Sequence, residues 1–234
     1  MILDMEKKSL LENANKIIAF SPHPDDTEII AGGYLSKMRS KGSVVKLIVL
    51  TDGRKGTKKL SEEEIKEIRH KEQIKASKIL DVELEFLNFQ DLNLPDPENL
   101  RDIILPKIRS FGPDIVVTVD PFLKYEVHPD HIKTGLGVLQ AVLFYPLVNV
   151  GGGIVKNNDP VVALGATDEP NVIINIDDFM DKKIKAIKAH ESQDLNIKSI
   201  EYLSSKFGKI AGFKYGEPFR VLYRRELHMN ISDE

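Results

Sequence analysis

The sequence predicts an α/β protein with a mostly parallel sheet of about five to six strands flanked by helices. Three observations predict it. Short apolar, β-branched runs such as Ile17 to Phe20, Val44 to Leu50 and Ile115 to Val119 alternate with longer stretches of helical periodicity. Gly, Pro and Asp punctuate most junctions between the two kinds of segment. Strands separated by crossovers of helix length pair in parallel, because a tight turn can join only antiparallel neighbours.

In chain order, Met1 to Asn15 reads as a short amphipathic helix or arm, and Lys16 to Ser21 as the first strand. Thr27 to Ser40 is helical, with Gly32-Gly33 allowing a close approach to the sheet and Gly42 stopping it. Val44 to Leu50 is the second strand. Ser61-Glu62-Glu63-Glu64 supplies a capping box and an acidic first turn for a helix reaching Leu80. Val82 to Phe89 is the third strand, Leu100 to Ser110 a helix containing Pro106, and Ile115 to Val119 the fourth strand. Ile132 to Phe144 continues as helix. Asn171 to Ile176 is a fifth strand, Asp177-Asp178 caps a helix through His190, Ile197 to Phe207 is another helix, and Pro218 to Tyr223 a last strand.

Residues 146–170, broken by Gly151-Gly152-Gly153, Asn157-Asn158 and two prolines, read as a variable surface excursion, a lid or a subunit contact. No linker divides the chain, so residues 1–234 are taken as one domain. Apolar pieces within 146–170 lead us to expect a homo-oligomer.

A formal net charge of −3 and 41% hydrophobic residues describe an ordinary globular chain and give no reason to expect nucleic acid as a partner. There is no cysteine, so disulfides, a thiol nucleophile and thiolate metal sites are excluded. No segment has the roughly 18 apolar residues of a membrane span, and the N-terminus lacks a signal-peptide core. The expected setting is cytoplasmic, away from membranes.

Two motifs carry the chemistry. His23-Pro24-Asp25-Asp26-x-Glu28 follows the first strand, and His128-Pro129-Asp130-His131 follows the fourth. If both strands lie in one parallel sheet, both turns emerge at its carboxyl edge, where such sheets bind ligands. Catalytic zinc takes three ligands from His, Asp and Glu and keeps a position for water. His23, Asp26 and His131 meet that demand, leaving Asp25 and His128 as a carboxylate and an imidazole beside the metal. A carboxylate can take the proton of attacking water, and a protonated imidazole can stabilise an oxyanion and protonate a leaving nitrogen. This inventory suits amide hydrolysis.

The paired motifs resemble the signature of the LmbE-like, or PIG-L, family of zinc-dependent N-deacetylases, which act on N-acetylglucosamine-containing compounds. Arg69 with Glu72, Asp91 at a strand end, and His190-Glu191-Ser192-Gln193 resemble recurring positions of the same family. The opening Phe20-Ser21-Pro22-His23 is most similar to its archaeal diacetylchitobiose deacetylases. The resemblance implies a Rossmann-like fold and one zinc ion per chain on His23, Asp26 and His131. It further implies Asp25 as general base, His128 as electrostatic stabiliser and general acid, and Asp130 orienting an imidazole. Arg69 and Asp91 would contact hydroxyls of a small amino-sugar substrate.

Plainer readings compete at each position. Asp25 and Glu28 could be a helix cap and its capping-box partner. Arg69 and Glu72 could be a surface ion pair, Asp91 a turn former, and His190 a cap on its helix. Two histidines and a carboxylate also form the site of non-haem iron enzymes. A non-enzymatic sugar- or nucleotide-binding module is the third reading, weakened because Gly151-Gly152-Gly153 does not follow the strand–turn–helix order of a dinucleotide fingerprint.

Overall fold

A computed structural model describes residues 3–228. Strands β1 (Lys16–Ser21), β2 (Val44–Thr51), β3 (Glu83–Phe89) and β4 (Ile115–Val119) pair in parallel, with Ile17 opposite both Val45 and Ile115. Their central members are continuous apolar runs because helices cover both faces of the sheet. Odd residues of β1, Ile17 and Ala19, pack with Tyr34, Leu35 and Met38 of α2 (Asp26–Ser40). Even residues, Ile18 and Phe20, pack with Leu100 and Ile104 of α4 (Pro97–Phe111) and Val138 of α5 (Pro129–Leu143). The remaining helices are α1 (Met5–Glu12), α3 (Glu62–Leu80), α6 (Met180–Ile187) and α7 (Ile197–Ile210). Helix α3 starts at the expected capping box, Ser61 with Glu64.

The second half of the sheet differs from the sequence reading. Residues 146–170 are not wholly a surface excursion, because β5 (Val161–Gly165) is a fully buried strand that continues the parallel set, with Ile115 opposite Val161. The part before it is tied down rather than free. Buried Arg109 of α4 donates to the carbonyls of Phe144, Tyr145, Leu147, Val150 and Gly152, so one guanidinium gathers the whole turn. β6 (Val172–Asn175) and β7 (Gly216–Leu222) complete seven strands in the order β3-β2-β1-β4-β5-β7-β6, with β7 antiparallel to both neighbours. Asp177 does not cap a helix. Its carboxylate accepts the N–H groups of Lys214 and Tyr215, and α6 ends at Ile187 instead of reaching His190.

Helix α2, which carries the first motif, is locked to the sheet by a buried ion pair. Glu217 of β7 accepts the Gly33 and Tyr34 N–H groups at 2.8 and 2.6 Å, and Lys183 of α6 donates to Ile29 O and to Glu217, both at 2.7 Å. The helix comes so close that a Cβ at Gly33 would lie 2.9 Å from Ile176. Removing one partner of such a pair strands the other charge away from water. Lys183→Met is therefore expected to lower folding stability by about 3–5 kcal/mol in urea titration, and adding Glu217→Gln to that variant to restore part of the loss.

Candidate active site

The chain leaves β1 through Ser21-Pro22-His23-Pro24-Asp25 and enters α2 at once. Thr51, at the end of β2, pins the turn by donating its N–H and hydroxyl to Pro22 O at 3.0 and 2.9 Å. Asp25 stands at the helix N-cap with φ of 111°, a backbone region that costs a non-glycine residue energy and persists only where surroundings impose it. Gln73 and Arg69 of α3 impose it. Gln73 Oε1 accepts the Asp25 N–H at 3.1 Å, and Arg69 Nη2 donates to Pro24 O at 2.6 Å while lying 3.3 Å from Asp25 Oδ2. The Asp25 side chain makes no capping bond, and Glu28 turns inward, accepting from Gln73 Nε2 at 2.7 Å. The capping-box reading of Asp25 and Glu28 is thereby corrected.

The second motif enters from β4, the immediate neighbour of β1. His128 is the N-cap of α5, its Nδ1 accepting the Asp130 N–H at 3.3 Å. Its ring centre lies 4.7 Å from that of His23 and 4.9 Å from that of His131. Asp26 Oδ2 sits between two imidazoles, 3.1 Å from His23 Nδ1 and 3.4 Å from His131 Nε2. His23 also donates its backbone N–H to that oxygen at 2.9 Å.

His23, Asp26 and His131 offer donor atoms within 4.8 Å of one another, and so do His23, Asp91 and His128. A neutral imidazole has one lone pair for a metal, so His23 can serve only one set at a time. Its Nδ1 faces Asp26; its Nε2 faces Asp91 Oδ1 and Asp130 Oδ2, both at 3.3 Å. The second arrangement is that of carboxylates accepting the proton of a ligating histidine. Two nitrogens and one carboxylate oxygen converging from the first set fit zinc.

Burial opposes charge on His23, but Asp130, Asp26 and Asp91 outweigh it and raise the imidazole well above its ordinary range. Burial would raise Asp26, yet the bonds from His131 and His23 hold it far below an ordinary carboxyl. Asp25 goes the other way. Burial, reinforced by the neighbouring Asp26 charge and only partly countered by Arg69, lifts it to about 8. His128 is pushed down by burial and by the charges of His23 and His131. With its Nδ1 accepting from Asp130, the ring carries a proton on Nε2.

His23, Asp25, Arg69, Asp91 and His128 line a single pocket with Lys55, Gly56 and Leu92, and Asp26 and Asp130 contact His23 from behind it while His131 contacts Asp26. Arg69 is not a surface ion-pair residue, and its Nε has no hydrogen-bond partner among the described residues in the pocket it lines. It is buried, and its other donors go to Pro24 O and, at 3.1 Å, Gly53 O. Glu72 instead accepts the N–H and hydroxyl of Ser192, both at 2.7 Å. Asp91 is also buried, on His23 and the Lys55 N–H. The sequence reading missed Gln73 and Glu126, the latter 3.1 Å from His131 Nδ1. Glu126 stands two positions before the second motif, and that acid was the available signal.

Residues 18–142 match the model of a family described as PIG-L, GlcNAc-PI de-N-acetylase. A diacetylchitobiose deacetylase of Thermococcus kodakarensis is 33% identical over 97% of this chain and 90% of its own length. A probable N-acetyl-α-D-glucosaminyl L-malate deacetylase of Bacillus cereus is 31% identical over 76% of this chain and 83% of its own. The solved N,N′-diacetylchitobiose deacetylase of Pyrococcus horikoshii superposes with a TM-score of 0.89 at 33% identity, covering 98% of this chain and 91% of that one.

Beneath the crevice, His190 Nε2 lies 3.8 Å from Glu28 Oε2, and both groups are fully buried. Burial lowers His190 to about 4 and raises Glu28 to about 7, so near pH 5.5 the folded pair is neutral, with the proton on Glu28. An unfolded chain also binds one proton there, on the histidine, and the two contributions cancel. Each single substitution uncovers the other. In His190→Gln, stability from Glu28 is full below pH 4.5 and is lost as pH rises through about 7. In Glu28→Gln, stability from His190 is full above pH 6.5 and is lost as pH falls through about 4. Urea titrations across this range should show opposite slopes, each on the order of 3 kcal/mol in total, with little slope from this pair in the parent protein.

Proposed function

Because this chain belongs to the PIG-L family of de-N-acetylases, we propose that its crevice hydrolyses the N-acetyl amide of a small N-acetylglucosamine-containing sugar, of the diacetylchitobiose type, with zinc. One observation carries the reading: Asp26 Oδ2 lies between His23 Nδ1 and His131 Nε2, and Asp25 stands beside it at the mouth of the same crevice. The names of the Thermococcus and Pyrococcus relatives support the disaccharide as substrate. No helix among the described residues is long and apolar enough to cross a membrane.

His23, Asp26 and His131 would hold the zinc ion, which when bound polarises the amide carbonyl and acidifies water. Asp25 takes a proton from the attacking water. Oxygen adds to the carbonyl carbon, the C–N bond breaks, and Asp25 returns the proton to the departing nitrogen, giving acetate and a free amine. His128, its Nδ1 engaged by the Asp130 N–H, would stabilise the oxyanion through its Nε2–H. Asp130 orients His23, while Arg69 fixes the backbone on which Asp25 stands. Asp91 lies at the wall of the pocket, where one of its oxygens can meet a sugar hydroxyl as well as His23.

Chelator-treated protein is expected to release acetate from diacetylchitobiose only after zinc is restored, and faster than from N-acetylglucosamine. Asp25→Asn should keep stoichiometric zinc but lose at least about 100-fold in turnover, whereas His131→Ala should lose the zinc itself. Full-speed Asp25→Asn would remove the proposed base, and zinc-bound protein inert toward both sugars would reject the substrate class.

A further inference from the structure

Glu126 lies outside both motifs, yet it touches both histidines of the second. Its Oε2 is 3.1 Å from His131 Nδ1, and its Oε1 accepts the His128 N–H at 2.8 Å. Its own N–H donates to Leu123 O at 2.9 Å, which closes the turn after β4 and fixes where the side chain starts. The carboxylate is about one-fifth exposed, partly screened from the water that weakens surface ion pairs.

His131 has two nitrogens, and only Nε2 faces Asp26. A neutral imidazole presents a lone pair at one nitrogen and a proton at the other, so whichever group accepts at Nδ1 decides that Nε2 is the free donor atom. Glu126 is the acceptor at that position. The same relation holds across the crevice, where Asp130 Oδ2 stands behind His23 Nε2 and is itself held by the Leu92 N–H at 2.7 Å.

We propose that Glu126 is a positioning residue for the metal centre, fixing the ring and tautomer of His131 and, through its second oxygen, the backbone of His128. The inference rests on the zinc reading of His23, Asp26 and His131. It makes the last turn before α5 part of the centre, although Glu126 belongs to neither candidate ligand set. Gln offers one acceptor for the two N–H groups and Ala offers none, so the two variants grade the effect.

The test measures zinc affinity by competition with a chromophoric chelator for the parent protein, Glu126→Gln and Glu126→Ala, beside thermal melts of the metal-free forms. Zinc binding should weaken about 10- to 100-fold in Glu126→Ala and by an intermediate factor in Glu126→Gln, with closely similar metal-free melts. In ¹⁵N-histidine spectra of zinc-loaded protein, a slowly exchanging His131 Nδ1–H should be present in the parent and absent in Glu126→Ala. Should Glu126→Ala fail to fold, the intermediate loss in Glu126→Gln and the parent's Nδ1–H signal carry the test. Parent-like affinity in the folded variants, or no protected Nδ1–H in the parent, overturns the role of Glu126 while leaving the zinc site standing. A parent protein that binds no zinc overturns both.

Discussion

The site depends on β1 and β4 lying side by side and parallel, with Ile17 opposite Ile115. From that pair the chain order runs outward in both directions, through β2 and β3 on one side and β5 on the other. The helix after β1 and the helix after β4 therefore cover opposite faces of the sheet, and the two turns that start them face each other across a gap. Each turn brings histidine and aspartate. A crevice rich in charge forms in that gap.

Charged groups packed this closely would repel or pair at random unless their surroundings fixed them. Here the fixing comes mainly from α3. Arg69 and Gln73, one turn apart, hold Pro24 O and the Asp25 N–H, and Glu28 orients the Gln73 amide so that its oxygen faces Asp25. A strained backbone at Asp25 is thus maintained by three buried polar side chains, none of them a candidate metal ligand. Glycine at position 53 belongs to the same device, since a Cβ there would lie 2.7 Å from the Arg69 guanidinium. Side chains that look remote from the crevice decide where the Asp25 carboxyl points.

Much of this architecture was legible in sequence because its signals are local. β1 and β4 appear as short buried apolar runs, α3 begins at a capping box, and each motif follows its strand, the first within two residues and the second after a loop at 120–127. β5 was not legible: four apolar residues between Pro160 and Gly165, inside a glycine- and asparagine-rich stretch, look like loop until β4 is there to pair with them. The locations of Arg69 and Gln73 were hidden for a related reason. At i and i+4 on α3 they follow the rule for a solvated helix face, and only the packing of α3 against a turn some 45 residues earlier makes them internal. Glu126 reaches His131 across a turn, at a spacing that belongs to no regular element.

The central claim is that one zinc ion belongs between the two turns, on the His131 side of His23. Anomalous diffraction at the zinc edge from crystals of the zinc-loaded protein tests it directly. The account predicts a single strong peak within bonding distance of His23 Nδ1, Asp26 Oδ2 and His131 Nε2. A peak on the Asp91 and His128 side of the His23 ring, or none in protein that is active without metal, would contradict it.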